Sequence, residues 1–546
     1  MAVVALVGPE IEENLSLRYL AASLAEAGHC CRIVPLNRVE DFGGALAAVL
    51  HGPDPVDVVG ISLAFQWRAP DFLAFAYALR HHGYRGHVTV GGHFATFADR
   101  EILTDFPEID SVCRQEAETT IVLLAEAVTG GDRALDSIDG LSFRGDDGAI
   151  VRTCMPAVPD LHTLPRPVRV GEPARCFGHA IAPLVASRGC YANCSFCCIA
   201  AWHEQTLPGK RYRLRTPEAV ADEMVELQRT RGVDVFVFHD DNFFVPHRGR
   251  SLERLTALAD ALDARGIGKF ATVVKARPND VDPEIFRVLI DRLGCVRCYV
   301  GIETDADQGL GTLQRWANSR VNHRAIEIAR ELDLFVCFNM LLFDPDTTID
   351  SLRTNVGFME YAPEFPFNFG RVELYAGTPL LTRMQAEGRT RGDWLQWDYD
   401  LQNPAVDRVW RLAMECFGPR NFGGRALAND IQAVRFDLVV ANAFHPEAVD
   451  PAWMIQGQEL SRRLGLDSAA GLRRIIDHVD SALHPASDAM LARDLSPQLR
   501  ATEESIRSEM LDIATALTAS VGRGEALTFS GDVVATPLQR GVAAPA

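Results

Sequence analysis

The chain reads as an α/β protein of several domains: a doubly wound (Rossmann/flavodoxin-like) N-terminal domain, a second βα segment forming a full or partial barrel, and a mainly helical C-terminal domain. Three observations predict this. With 546 residues the chain is too long for one ordinary core. Two separate stretches, 1–130 and 181–390, alternate short apolar runs with helical repeats. From about 395 onward the pattern is mostly helical.

AVVALVG at the start is a continuous apolar run, as expected of a strand buried on both faces. LSLRYLAASLAEAG then places apolar residues at helical spacing and stops at Gly28, a C-cap signal. CRIVPL, VDVVGISLA and HVTVGG follow as strands, with FLAFAYALRHHG as the helix between the last two. Ligands of such sheets sit beyond the carboxyl ends of the strands. Those ends carry Gly8-Pro9, Ser62-Leu63 and Gly91-Gly92-His93. Residues 131–180 carry hairpin and proline signals and read as a linker with a small β-ribbon. Over 181–390 six strands are expected: APLVASRG, VDVFVFHDD, KFATVVKA, CVRCYVGIE, LFVCFNMLLF and FGRVELYAG, each followed by a helical stretch. Six βα units make a partial or complete barrel, whose chemistry belongs at the carboxyl ends of its strands. Residues 391–520 form the helical domain, with Trp394, Trp397 and Trp410 near its start as core or cleft residues, and 521–546 read as a disordered tail.

Composition excludes several classes. Hydrophobic residues make up 47% and charged residues 23%, as in globular proteins. Lys and Arg number 54 against 73 Asp and Glu, a formal charge of -19, which speaks against a nucleic-acid partner. No apolar run suits a membrane span, and the start lacks a basic region and cleavage site. A cytoplasmic protein is therefore expected. The 13 cysteines are scattered and odd in number, so a disulfide framework is not expected. Cys30, Cys31, Cys113, Cys337 and Cys416 read as small buried hydrophobes.

SRGCYANCSFC, residues 187–197, needs another account. Zinc prefers four ligands, commonly in C-x2-C pairs. Here the spacing is C-x3-C-x2-C, and Cys295 and Cys298, a C-x2-C on a predicted strand, read as structural. Three thiolates on one loop can hold three irons of a [4Fe-4S] cube. Spacing, the aromatic Phe196 and the place after the first barrel strand together resemble the radical S-adenosylmethionine (SAM) enzymes. The resemblance implies that Cys190, Cys194 and Cys197 hold the cluster, that SAM chelates its fourth iron, and that one electron cleaves SAM to a 5′-deoxyadenosyl radical. Cys198 lies outside the pattern. By the same resemblance Asp240, Asp241 and Asn242 end the second barrel strand where relatives bind the SAM amino group. Glu303 matches a SAM-contacting position, and Arg315 one where a cation pairs with the SAM carboxylate. FDPDTT departs from a glycine-rich turn common in relatives, and Tyr375, in LYAGTPL, is either a core residue or a catalytic candidate.

The N-terminal stretches ENLSLRYLAASLAEAGH, VDVVGISLAF, VTVGGHFAT and CRQEAE resemble, in order, the cobalamin (B12)-binding domain found upstream of many radical SAM enzymes. The resemblance implies contacts to cobalamin from Gly8, Pro9, Ser62, Leu63, Gln66, Trp67, Gly91, Gly92, His93 and Glu116. Glycines admit close backbone approach to the nucleotide tail, and a serine hydroxyl can bond its polar groups. The D-x-H-x-x-G motif whose histidine ligates cobalt is absent: the loop reads GPEIEE. A lower cobalt face without histidine is thus expected, with Ala64–Arg68 as the candidate cover.

The family so indicated is the B12-dependent radical SAM enzymes, and the activity a C-methyltransferase acting on a small molecule, free or tethered to a carrier protein. Hydrogen abstraction from an unactivated carbon, or addition and proton loss at a heteroaromatic carbon, would open the target. Flavodoxin or ferredoxin is the implied reductant. The same architecture also serves ring contraction, cyclisation or oxidation without methyl transfer. A cobalamin-sensing scaffold is disfavoured by the intact cysteines. A tRNA methylthiotransferase is disfavoured by the charge and by the lack of a second cysteine triad.

Overall fold

The computed structural model describes residues 1–130, 133–207, 211–422, 426–481 and 484–522. The tail expected at 521–546 therefore lies, from 523 on, outside the described residues. The chain divides into two compact units, each drawing on separated segments.

The first unit comprises Met1–Glu172, Phe196–Arg215 and Leu374–Asp398. Its elements run β1 (Val3–Gly8), α1 (Leu15–Glu26), β2 (Cys30–Pro35), α2 (Phe42–Leu50), β3 (Val58–Ser62), α3 (Ala69–His81), β4 (His87–Gly91), α4 (His93–Phe97), α5 (Asp99–Asp105), β5 (Ser111–Cys113), α6 (Glu118–Val128), β6 (Leu141–Arg144) and β7 (Ile150–Arg152). The sheet order is β2-β1-β3-β4-β5-β6-β7. β1 pairs in parallel with both β2 and β3, so the winding reverses between β1 and β3. That reversal opens a crevice at the strands' carboxyl ends, where Gly8 and Ser62 lie. Val4, Ala5, Leu6 and Val7 are all buried, as a strand covered on both faces requires. α1 starts where the Asn14 side chain accepts the Leu17 N–H. The ribbon read as linker is β6–β7, and it extends this sheet by two antiparallel strands. β5 is only three residues long, too short to show as a strand in the sequence. Two later segments add α7 (Cys198–Thr206), β11 (Tyr212–Leu214) and α14 (Pro379–Ala386) to this unit.

The second unit comprises Pro173–Ser195, Thr216–Glu373 and the described residues from Tyr399 on. It contains β8 (Ala174–Cys176), β9 (His179–Leu184), β10 (Ser187–Gly189), α8 (Pro217–Arg231), β12 (Val233–Phe238), α9 (Arg248–Ala264), β13 (Ala271–Ala276), α10 (Pro283–Asp291), β14 (Cys295–Val300), α11 (Asp307–Thr312), α12 (Ser319–Glu331), β15 (Val336–Phe343), α13 (Ile349–Tyr361) and β16 (Phe367–Arg371). The order β16-β15-β14-β13-β12-β9-β8 gives an open sheet, so the barrel is partial. The six strands β9 and β12–β16 are parallel, and β8 closes one edge antiparallel to β9. The first expected strand, APLVASRG, is two: β9 ends at Leu184 and β10 resumes at Ser187. Asp240 holds this break open, accepting the Ala186 N–H at 2.9 Å and the Ser187 hydroxyl.

The helical region is α15 (Pro404–Asn421), α16 (Leu427–Phe444), α17 (Pro451–Asp480) and α18 (Asp488–Val521). Leu427, Ala428, Ile431 and Val434 of α16 join one core with Val235, Ala271, Val273 and Cys337 of the sheet. The helices are keyed together by Arg420. Its side chain is almost fully buried and reaches Asp467 at 2.7 Å, Glu503 at 2.9 Å and the Leu499 carbonyl at 2.9 Å. Removing a buried ion's partner leaves uncompensated charge, which costs about 3 kcal/mol. Arg420→Leu is therefore expected to lower the unfolding midpoint clearly, as followed by far-UV circular dichroism. Among the described residues no helix is long and apolar enough to cross a membrane. Cys295 and Cys298 both lie buried in β14.

Candidate functional site

In the second unit, the candidate residues gather at the carboxyl ends of β10, β12, β13 and β14. The cysteine loop leaves β10 and is pinned by Ser195, whose N–H reaches the Leu313 carbonyl at 3.0 Å and whose hydroxyl reaches the Thr312 carbonyl at 2.7 Å. The loop's Tyr191 donates to Asp280 at 2.8 Å. Cys190 Sγ accepts the Ala192 N–H at 3.4 Å. Cys194 is buried, and its Sγ receives Arg277 Nη1 at 3.2 Å and Arg315 Nη1 at 3.1 Å. Donors of this kind suit a thiolate. Cys197 is the N-cap of α7, which belongs with Phe196 to the first unit. Among the described residues no three His, Cys, Asp or Glu side chains stand in a metal-holding group. The triad thus rests on its spacing and on the chemistry of its donors.

Asp240, Asp241 and Asn242 have different surroundings. Asp240 is buried, and both its oxygens are taken by Ala186 and Ser187. Asn242 donates to the Phe244 carbonyl at 3.0 Å and to Asp280 at 3.1 Å. Asp241 is exposed; one oxygen accepts the Gly189 N–H at 3.0 Å and the other has no protein donor among the described residues. Asp241 is therefore the member best able to meet an ammonium group.

Glu303 follows β14 in a left-handed conformation, φ 65°. Its backbone is held on both sides, N–H to the Asn339 carbonyl and carbonyl to the Leu341 N–H. Its half-buried carboxylate has no hydrogen-bond or ion-pair partner among the described residues. A Cβ on Gly301 would stand 3.1 Å from Glu303 Oε1 and 3.2 Å from Arg315 Nη2, so glycine keeps that gap clear. Burial pushes the Glu303 carboxyl above its ordinary range, with Arg315 and Arg277 opposing. Its folded-state value thus exceeds the unfolded one, near about 4.3. Stability is lost as pH rises through that window, because folding favours the protonated form. Glu303→Gln is expected to raise the melting temperature of the cofactor-free protein slightly at neutral pH. The gain should vanish as pH falls below the ordinary carboxylate range; a thermal-shift series across pH checks this. The FDPDTT turn is closed on itself, Asp344 accepting from Thr347 at 2.9 Å and from Gln308 at 3.0 Å.

In the first unit, the candidates lie at the ends of β1, β3 and β4. A Cβ on Gly8 would come within 3.0 Å of Ser62 Cβ, and one on Gly91 within 3.2 Å of the Cys113 carbonyl. Gly92, φ 110°, has room for no side chain: a Cβ would be 2.9 Å from the Ala64 nitrogen. The half-buried Ser62 hydroxyl has no protein partner among the described residues. Leu63 is fully buried. The GPEIEE loop is bound internally: Asn14 donates to the Pro9 carbonyl at 3.1 Å, Arg18 pairs with Glu10 at 2.6 Å, and Arg169 pairs with Glu13. Burial pushes Glu10 up, against the Arg18 charge. Gln66 is buried, accepting the Ala376 N–H at 2.9 Å. Trp67 keeps a buried Nε1 without a partner.

The later segments of this unit bring residues the sequence reading did not name. The Trp202 ring lies tilted at 51° to that of His93, centroids 4.7 Å apart, and, like Trp67, has a buried Nε1 without a partner. Gln115, φ 63°, donates to Gln205 at 2.9 Å. Glu116 is ion-paired by Arg213, with His203 Nδ1 at 3.9 Å. Tyr375 is half-buried, its carbonyl accepting the Thr378 hydroxyl at 2.7 Å. No local pattern announces Trp202, Gln205 or Arg213, since they reach this unit only through the tertiary fold. Arg277 was equally hidden in an ordinary KARPND turn.

Two family models match parts of this chain. Residues 1–125 match the B12 binding domain, and residues 184–354 match the Radical SAM superfamily. The uncharacterized methyltransferase PH0819 of Pyrococcus horikoshii is 25% identical over 383 residues, 69% of this chain and 79% of that protein. The hopanoid C-3 methylase of Methylococcus capsulatus is 28% identical over 342 residues, 61% of each chain. Among solved structures, the cobalamin-dependent S-adenosylmethionine radical enzyme OxsB, with aqua-cobalamin and S-adenosylmethionine bound, superposes with a TM-score of 0.64 at 14% identity. That match covers 95% of this chain and 83% of OxsB, and it shows the fold.

Proposed function

We propose, from the premise that this chain belongs to the cobalamin-dependent radical SAM enzymes, that it transfers a methyl group to a carbon of a small-molecule substrate. The observation that carries the proposal is the pairing of a B12-binding domain with a radical SAM domain in one chain whose relatives include an uncharacterized methyltransferase and a hopanoid C-3 methylase. The cofactors are a [4Fe-4S] cluster, SAM and cobalamin. When bound, they supply one-electron cleavage of SAM and a transferable methyl group.

The residue types suit these groups. Cys190, Cys194 and Cys197 would supply the thiolate ligands of the cluster. Asp241 offers a free carboxylate oxygen to the SAM ammonium, and Glu303 a second, unpartnered carboxylate. Asp240 and Asn242 act one step behind, fixing the β9–β10 break and the strand-end turn. Ser62, Gly91, Gly92 and His93 line the crevice for the cobalamin tail, while Leu63 is taken up in the core, and the orphaned indole N–H groups of Trp67 and Trp202 are donors for its amides. The GPEIEE loop has no imidazole, and its acids are occupied, so it offers cobalt no histidine nitrogen. Tyr375 is the candidate proton-handling group. Flavodoxin or ferredoxin supplies electrons, in the cytoplasm.

The test is anaerobic turnover with candidate small molecules and SAM labelled in its methyl group. S-adenosylhomocysteine and 5′-deoxyadenosine formed together, with label in the product, support the assignment. Deoxyadenosine alone, with unlabelled product, would instead point to the ring-contracting, cyclising or oxidising chemistry of the same architecture.

A further inference from the structure

Arg277 and Arg315 are a feature that SAM binding leaves unexplained. Both side chains are buried, at 6% and 4% exposure. Neither pairs with a carboxylate among the described residues, and both Nε atoms are buried without a partner. Asp280 accepts the backbone N–H of Arg277 and bonds none of its guanidinium nitrogens. The Glu303 carboxylate is near enough to feel both charges but is bonded to neither, and two buried guanidiniums without a directly bonded anion are costly. The one group that both of them bond is a sulfur. Each guanidinium gives one arm to Cys194 Sγ, at 3.2 Å and 3.1 Å, and its other arm to a backbone carbonyl. Arg277 takes the carbonyl of Arg315, and Arg315 takes that of Gly301. The backbone is left-handed on both sides of Arg315, at Gln314 (φ 51°) and Trp316 (φ 50°). Asn279 pins the turn by donating to the Trp316 carbonyl at 3.0 Å. Non-glycine residues at such angles cost energy and persist where surroundings hold them. Here the strain aims a fork at a thiol.

We propose that Arg277 and Arg315 together hold Cys194 as the ligating thiolate and set the reduction potential of the cluster, a role that rests on Cys194 being a cluster ligand. The same geometry commits both arms of Arg315 within the protein, which separates this role from pairing with the SAM carboxylate. Adding one electron to the cluster, from dithionite in the test, forms and breaks no bond. It places extra negative charge beside two fixed cations and two N–H donors, and so favours the reduced state. Only part of the strength of a hydrogen bond to a charged group changes on reduction.

The test uses the full chain, reconstituted with iron and sulfide, as wild type, Arg277→Met, Arg315→Met and Arg315→Lys. Cluster reduction is titrated without SAM and read by electron paramagnetic resonance; SAM affinity is measured separately. Each Met variant should lower the reduction equilibrium constant about tenfold, about 59 mV for a one-electron couple. Arg315→Lys should lower it less, and SAM affinity should stay within a factor of about three. An unchanged potential overturns the proposal. So does a loss of SAM affinity of about tenfold or more in Arg315→Met at constant potential, which would make Arg315 a SAM clamp. A Met variant that loses iron while keeping its circular dichroism supports the thiolate-holding role; one that does not fold leaves the decision to the Lys variant. If wild type itself takes up no iron, the cluster reading falls and this proposal with it.

Discussion

Single replacement of Cys190, Cys194 or Cys197 by Ala should reduce bound iron from about four per chain to nearly none, whereas Cys198→Ala should retain it. A cube held by three protein thiolates loses a third of its protein ligands with each substitution. The methyl group of alanine cannot replace a terminal thiolate ligand on iron. Cys198 opens α7 just outside the spacing, so its loss removes a half-buried side chain and no ligand. Cobalt content is the internal control. The first unit has its own hydrophobic core around Val59, Ile61, Phe72, Leu79 and Val90. Cys190→Ala and Cys194→Ala, both in the second unit, should therefore bind cobalamin as wild type does while lacking iron. Equal iron in all four variants would remove the triad from the mechanism. Iron lost only on replacing Cys198 would move the ligand set by one residue.

Gly92→Val should show the second large effect, on cobalt and on stability together. The residue sits at φ 110°, a region closed to β-branched side chains. Its Cβ would meet Ala64 N at 2.9 Å and the Leu63 carbonyl carbon at 3.0 Å, both backbone atoms that cannot swing aside. The strain alone costs about 1–3 kcal/mol, and overpacking adds about as much again. The expected result is a lower melting temperature for the first unit and loss of cobalamin retention after gel filtration. Gly91→Ala is the graded comparison. Its Cβ would lie 3.2 Å from the Cys113 carbonyl, a contact that a small shift relieves, so it should lose less of both. Normal cobalt binding in Gly92→Val would show that the crevice at β4 does not hold the cofactor.

Gly92 also shows how far local sequence carried the reading. As sequence, VGGH marks a place where backbone may approach a ligand. In the structure the first demand on Gly92 comes from the protein itself, from the Leu63–Ala64 turn across the crevice. Asp240 and Asn242 behave alike. Their position at a strand end was visible, but their side chains serve internal bonds, and only Asp241 stays available. Glu116 was visible as a polar residue after β5, yet its partner Arg213 lies 97 positions away.

By itself the sequence determined the α/β class, six parallel barrel strands, the helical C-terminal region, the cysteine loop and the absence of a histidine in GPEIEE. Each is a property of a short window: periodicity along a strand or helix, or spacing along a loop. The tertiary structure alone decided that the β6–β7 ribbon joins the first sheet, that the segments after Ser195 and Glu373 belong to the first unit, and that the barrel sheet stays open. It alone placed two guanidiniums on Cys194, from 83 and 121 residues away. The reason is physical. A buried charge takes its meaning from the groups around it, and the sheet, by stacking strand ends from distant parts of the chain, chooses those groups.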